Sequence, residues 1–187
     1  DGSIQGRVVV IQEIFGINAH IRDLCDRLAA QGIAAIAPGL FDRVEGNVEL
    51  DYTPDGIARG LEIRGQIDWD AVMADTQAAV DHLASGGATG IVGYCWGGTI
   101  AWLAGCRFDN VKCAVGYYGG QIIQFIDETP KCPTMLHFGE KDSGIPMPDV
   151  QQITERHADV QVFTYPEADH GFHCDQRGSY HKESSDL

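Results

Sequence analysis

The sequence is poor in basic residues. Its 187 residues hold 13 Lys and Arg against 27 Asp and Glu, a formal net charge of -14. That deficit argues against nucleic acid and anionic membranes as partners, because both are bound through clustered Lys and Arg. No apolar run reaches the ~20 residues that span a bilayer, and no signal-peptide pattern opens the chain. Asp1 in place of Met reads as a processed or trimmed N-terminus. There is no internal repeat and no low-complexity tract. The six cysteines (Cys25, Cys95, Cys106, Cys113, Cys132 and Cys174) contain no C-x-x-C pair. Most fall in predicted strands and helices, where a thiol serves as a small hydrophobe. Free thiols in a reducing, cytoplasmic setting are therefore expected.

A hydrophobic content of 44% with 21% charged residues fits one globular domain over residues 1–187. Val8 to Ile11 is a β-branched run, as expected of a strand buried on both faces. Asn18 can cap a helix whose apolar stripe is Ile21, Leu24, Cys25, Leu28 and Ala29, closed by Gly32. Ile33–Ala37 reads as a second strand, stopped by Pro38. Residues 39–60 show no clear period and read as a long loop. Asp68 can cap a helix that uses Ala71, Val72, Ala79, Val80 and Leu83. Further strands are expected at Gly90–Val92 running into Cys95, at Lys112–Tyr118, at Pro133–Phe138 and at Val160–Tyr165. A helix from about Asp149 to His157 separates the last two. Strands alternating with helices imply βαβ units and a mainly parallel α/β sheet with helices on both faces.

The segment Gly93-Tyr94-Cys95-Trp96-Gly97-Gly98 joins an apolar strand to the helix-compatible run Thr99–Ala104. Glycine at 93 and 97 leaves room for a tight turn. This is the G-x-nucleophile-x-G elbow, with sulfur in place of the usual serine oxygen. It holds the side chain exposed, and it aims the following N–H and the helix N-terminus at the same spot. A buried cysteine in a glycine-rich turn is the plainer alternative. What favours the nucleophile is convergence. Glu13, Cys95, Asp142 and His170 each follow a predicted strand, and a parallel sheet gathers its functional groups at the C-terminal strand ends. A thiol needs a base to ionise near neutrality. His170, in Ala168-Asp169-His170-Gly171-Phe172, is the best placed of seven histidines, and Asp142 could fix its tautomer. The order Cys, Asp, His is that of the hydrolase triad. His170, His173, Cys174 and His181 match no closed zinc pattern, so neither metal nor other cofactor is expected.

Five stretches together resemble the dienelactone hydrolase (carboxymethylenebutenolidase) family. They are Gln12-Glu13-Ile14-Phe15-Gly16-Ile17-Asn18, Gly93 to Gly98, Val115-Gly116-Tyr117-Tyr118-Gly119, the Asp142 loop and His170-Gly171-Phe172. The resemblance implies an α/β-hydrolase fold and a Cys95–His170–Asp142 triad. It implies that Glu13 contacts the resting thiol and helps activate it, that the N–H groups of Ile14 and Trp96 form the oxyanion hole, and that Phe15 lines the substrate. The implied reaction is attack of Cys95 on an enol-lactone or activated ester, through a thioester, as in the degradation of aromatic compounds. The implied partner is a small-molecule lactone or ester, with the protein a monomer or weak homodimer.

The family also holds a substrate carboxylate with arginines. Here the region after His170 reads Phe172-His173-Cys174-Asp175-Gln176, with Arg177 further along; Arg59, or else Arg64, is expected to supply the other. The family has additional strands before Val8 and a helix after Tyr180, so the resemblance implies a version trimmed at both ends. Two rival readings remain on sequence grounds: a glutamine-amidotransferase-like thiol enzyme, and a redox-sensing protein with an inert triad.

Overall fold

The computed structural model describes residues 4–186. Six strands, β1 (Gly6–Ile11), β2 (Ile33–Ile36), β3 (Thr89–Tyr94), β4 (Val111–Tyr117), β5 (Thr134–Gly139) and β6 (Gln161–Tyr165), form one sheet in the order β2-β1-β3-β4-β5-β6. Every neighbouring pair is parallel. The helices are α1 (Ala19–Ala30), α2 (Pro54–Arg64), α3 (Trp69–Ala84), α4 (Trp96–Arg107), α5 (Met147–Arg156) and α6 (Lys182–Ser185).

The chain first moves outward from β1 through α1 to β2. It then returns through α3 to β3 on the other side of β1. Right-handed crossovers in opposite directions put α1 and α3 on opposite faces of the sheet. They also open a crevice at the C-terminal ends of β1 and β3, where such folds bind ligands. Ile11 lies beside Gly93 in register, so the residues following each strand emerge side by side.

Burial follows sequence character. Val9, Val10 and Ile11 are fully buried, as a central strand covered on both faces requires. Helix α4 is apolar nearly all round, with every residue from Trp96 to Cys106 buried. It is therefore a core helix rather than a surface one, and it carries the elbow at its start. Asn18 and Asp68 cap α1 and α3 as expected, accepting from the N–H groups of Ile21 at 3.3 Å and Ala71 at 2.7 Å.

One expected element is corrected. The segment 39–60 is not loop throughout, because α2 starts at Pro54. Thr53 caps it, accepting from the Gly56 N–H at 3.1 Å, and Pro54 sits at the helix start, where its missing donor costs nothing. Gly56 and Gly60 weaken helix propensity, which hid the helix, but they serve close packing. A Cβ on Gly60 would lie 1.9 Å from the Ile14 carbonyl oxygen, and one on Gly56 would lie 2.0 Å from that of Asp51. Helix α2 thus presses its backbone onto the loop after β1.

Candidate active site

Cys95 occupies the turn between β3 and α4 with φ 56 and ψ -117. Positive φ in a residue with a Cβ is strained by about 1–3 kcal/mol and persists only where surrounding structure imposes it. Here the imposition is steric. A Cβ on Gly93 would lie 1.9 Å from the Gly97 carbonyl oxygen, and one on Gly97 would lie 2.5 Å from that of Ile11. The Cys95 N–H is anchored to the Tyr117 carbonyl at 3.0 Å. The side chain is half-buried and borders a cavity of about 150 Å³, shared with Ile14, Arg64, Trp96, Ile145 and His170.

His170 and Asp142 meet at this cavity although they come from different strand ends. The loop after β5 is laced to the loop after β6 by Lys141 N–H donating to the Ala168 carbonyl at 2.9 Å and Glu140 N–H to that of Tyr165 at 3.0 Å. The Asp142 carboxylate is buried. Its Oδ1 accepts from the Gly144 N–H at 2.9 Å, and its Oδ2 is 2.6 Å from His170 Nδ1. Burial opposes a charge on the His170 ring. The facing Cys95 sulfur and Asp142 more than offset it, and the pKa is raised to about 10.

Glu13, directly after β1, is 1% exposed. Its partners differ from the expectation: Oε2 accepts from the Tyr52 hydroxyl at 3.0 Å and Oε1 from Arg177 Nη1 at 3.1 Å, with no hydrogen bond from the Cys95 thiol. Burial raises its pKa, against the lowering pull of Arg177 and Tyr52. The Ile14 and Trp96 N–H groups donate no hydrogen bond among the described residues; Trp96 is the first residue of α4, where an orphan donor is normal.

Two expected contacts are corrected. Phe15 does not line the cavity. It is buried edge-on beneath Tyr52, 4.6 Å between ring centroids, and Ile14 takes the lining position. Arg59 lies on the surface and pairs with Glu62 at 2.7 Å and with Glu45. Arg64, about one and a half turns of α2 later, reaches the cavity, hydrogen-bonds Gln121 and lies 5.8 Å from the Trp96 ring. Burial lowers its pKa while Cys95 acts in the opposite direction. Sequence reasoning missed Tyr52 and Tyr118. Tyr118 is fully buried at φ 40, with its hydroxyl unpartnered and its ring 5.0 Å from that of His170. The Tyr117-Tyr118-Gly119 run at the end of β4 was the available signal; for Tyr52 there was none. A larger, more polar cavity of about 260 Å³ borders Gln12, Arg22, Asp42 and Glu49, but no nucleophile faces it.

The sequence model of the dienelactone hydrolase family matches residues 4–187. The chain belongs to the dienelactone hydrolase family. A relative from Synechocystis sp., named "Putative carboxymethylenebutenolidase", is 36% identical over 197 residues, covering 95% of this chain and 80% of that protein. A carboxymethylenebutenolidase from Pseudomonas putida is 35% identical over 175 residues, covering 88% and 74%. The crystal structure titled "Putative Dienelactone Hydrolase" from Klebsiella pneumoniae superposes with a TM-score of 0.83 at 34% identity, covering all of this chain and 83% of that one. The α/β-hydrolase fold follows from these likenesses and the parallel sheet. Membership in the dienelactone hydrolase family gives the reaction class, hydrolysis of a small-molecule ester or lactone. No helix among the described residues is long and apolar enough to cross a membrane.

Proposed function

We propose that this dienelactone hydrolase family member opens enol-lactones, or cleaves esters with comparably good leaving groups, through a thioester on Cys95. The observation that carries the reading is the convergence of Cys95, on its strained elbow, with the 2.6 Å His170–Asp142 hydrogen bond at one cavity. The Cys95 thiol gives its proton to His170 and attacks the carbonyl carbon. Asp142 holds the Nδ1–H tautomer and stabilises the imidazolium. The free N–H groups of Ile14 and Trp96 suit the developing oxyanion, each such donor being worth about 10²–10³ in rate. The enolate leaves with the ring oxygen and takes its proton from His170. Water, deprotonated by the same imidazole, then cleaves the thioester. A thiolate leaves more easily than an alkoxide, so it expels a stabilised enolate in preference to an ordinary alkoxide.

Arg64 suits a substrate carboxylate, since it is a half-buried cation on the cavity wall beside the thiol. Glu13 is proposed to assist thiol activation by moving from Tyr52 and Arg177 toward the sulfur as substrate enters. Family membership over residues 4–187 favours this reading over amidotransfer from glutamine.

The test is a rapid acid quench of the reaction with p-nitrophenyl acetate or an enol-lactone, followed by intact-mass and peptide mapping. An acyl adduct on Cys95 that decays as product forms, and its loss with all turnover in Cys95→Ala, supports the mechanism. Turnover that persists in Cys95→Ala overturns it.

A further inference from the structure

Behind the loop after β1 lies a group of side chains of which the proposed hydrolysis uses only Glu13. One atom each of Glu13, His20 and Cys174 lies within 4.8 Å of the others, and all three residues are buried. They come from the end of β1, the first turn of α1 and the segment after β6, so only the folded chain brings them together. His20 is 1% exposed, yet neither of its ring nitrogens has a hydrogen-bond partner. A buried polar group left unmatched is destabilising, and an imidazole with both nitrogens orphaned calls for a ligand. Its Tyr94 neighbour meets it edge-on, 5.8 Å between ring centroids, which supplies packing but no hydrogen bond.

We propose that Glu13, His20 and Cys174 form a binding site for a thiophilic divalent cation, with Zn2+ the best fit. One carboxylate, one imidazole and one thiolate are the donor types Zn2+ takes, and three protein ligands leave a fourth position open. The Tyr52 hydroxyl, which hydrogen-bonds both Glu13 at 3.0 Å and Cys174 Sγ at 3.3 Å, borders that position. Tyr52 is also the half-buried member of the group, so its segment is the way in from solvent.

Zn2+ displaces the Cys174 thiol proton to solvent, and the resulting thiolate and the Glu13 carboxylate set two negative charges against the two of the ion and the one of Arg177, which pairs with Glu13 at 3.1 Å. Glu13 keeps its Arg177 and Tyr52 contacts, because each carboxylate oxygen has a second lone pair. Cys174 was earlier grouped with His170, His173 and His181, a set without zinc spacing. His170 is engaged by Asp142 and His181 by Ser184, whereas the set around His20 is drawn from three distant segments. The site shares Glu13 with the proposed hydrolysis, but binding is read directly, so failure of one is distinguishable from failure of the other.

The experiment titrates Co2+, and then Zn2+, into the full chain carrying Cys95→Ala, which removes the competing thiol beside His170. Metal is offered both to the native protein and during refolding. Stoichiometric binding with thiolate-to-cobalt charge-transfer absorption is expected, reversed by Zn2+. The band is expected to vanish on adding Cys174→Ala and to weaken on adding His20→Gln, with far-UV circular dichroism checking each fold. No charge-transfer band in either regime, or a band that survives Cys174→Ala, overturns the site. Should the double variants misfold, zinc X-ray absorption on Cys95→Ala alone decides. One sulfur at about 2.3 Å with nitrogen or oxygen at about 2.0–2.2 Å supports the site, and a shell without sulfur refutes it.

Discussion

His137, buried on the inner strand β5, offers a test of how burial in the sheet is linked to stability. It lies on β5 and stacks on Tyr117 of β4 at 4.4 Å and on Phe163 of β6 at 5.3 Å between ring centroids. Its Nδ1 is 2.7 Å from the Tyr165 hydroxyl, and its Nε2 is buried without a partner. Burial, with a smaller contribution from His173, lowers its pKa from 6.5 to about 4. The unfolded chain therefore takes up a proton that the folded chain refuses. This contribution to stability is complete above the unfolded pKa and is lost as pH falls toward the folded one. At ~1.4 kcal/mol per pH unit the whole shift amounts to about 3 kcal/mol, of which roughly 2 kcal/mol is gone by about pH 5.

The perturbation is His137→Phe, which keeps a ring in the stack. It also leaves the Tyr165 hydroxyl unpaired, a cost of about 1–3 kcal/mol that does not vary with pH over this range. Urea unfolding followed by tryptophan fluorescence at about pH 7.5 and about pH 5 separates the two effects. The variant is expected to be less stable at the higher pH, but to lose roughly 2 kcal/mol less than the native chain on acidification. Equal losses in both proteins would refute the argument, since other acid-sensitive groups are common to both.

Asp142→Asn preserves size but lets the amide donate to Nδ1. It should cost about 10³–10⁴ in kcat with little change in unfolding midpoint, read by steady-state hydrolysis beside thermal melts. Arg64→Leu should raise KM at least about tenfold for a carboxylate-bearing lactone, as loss of a charged hydrogen bond implies. It should leave p-nitrophenyl acetate hydrolysis nearly unchanged, and an equal effect on both substrates would deny it the carboxylate role. Gly97→Ala forces a Cβ to 2.5 Å from the Ile11 carbonyl oxygen and 2.6 Å from that of Gln12. It should destabilise by about 4 kcal/mol or more, or prevent folding, as denaturant titration would report.

The strands and helices α1 and α3 could be read from the chain because β-branched runs and the caps Asn18 and Asp68 act locally. The elbow could be read because Gly93, Cys95 and Gly97 adjoin in sequence. What could not be read depended on side-chain direction or distant approach. Ile14 and Phe15 are neighbours, and only the loop's path decides which one meets the cavity. Arg59 and Arg64 share one helix, but about one and a half turns separate a surface ion pair from the cavity wall. Helix α2 was obscured because Gly56 and Gly60 answer to the backbones of Asp51 and Ile14 rather than to helix propensity. His20 gives no signal in the sequence, since nothing nearby points to Glu13 or Cys174.

The parallel sheet has a consequence for synthesis on the ribosome. Glu13 is made 164 positions before its partner Arg177, and Asp142 waits 28 residues for His170. The elbow can form once β4 is available, because the Tyr117 carbonyl anchors the Cys95 N–H. A nascent chain at that stage would carry an accessible thiol with no imidazole beside it and a buried-to-be carboxylate with no counter-charge. Chain closures of this length slow folding. On the proposed mechanism, reactivity is therefore withheld until β6 and the segment carrying His170 have joined, and a chain ending before His170 would hold the thiol without its proposed base.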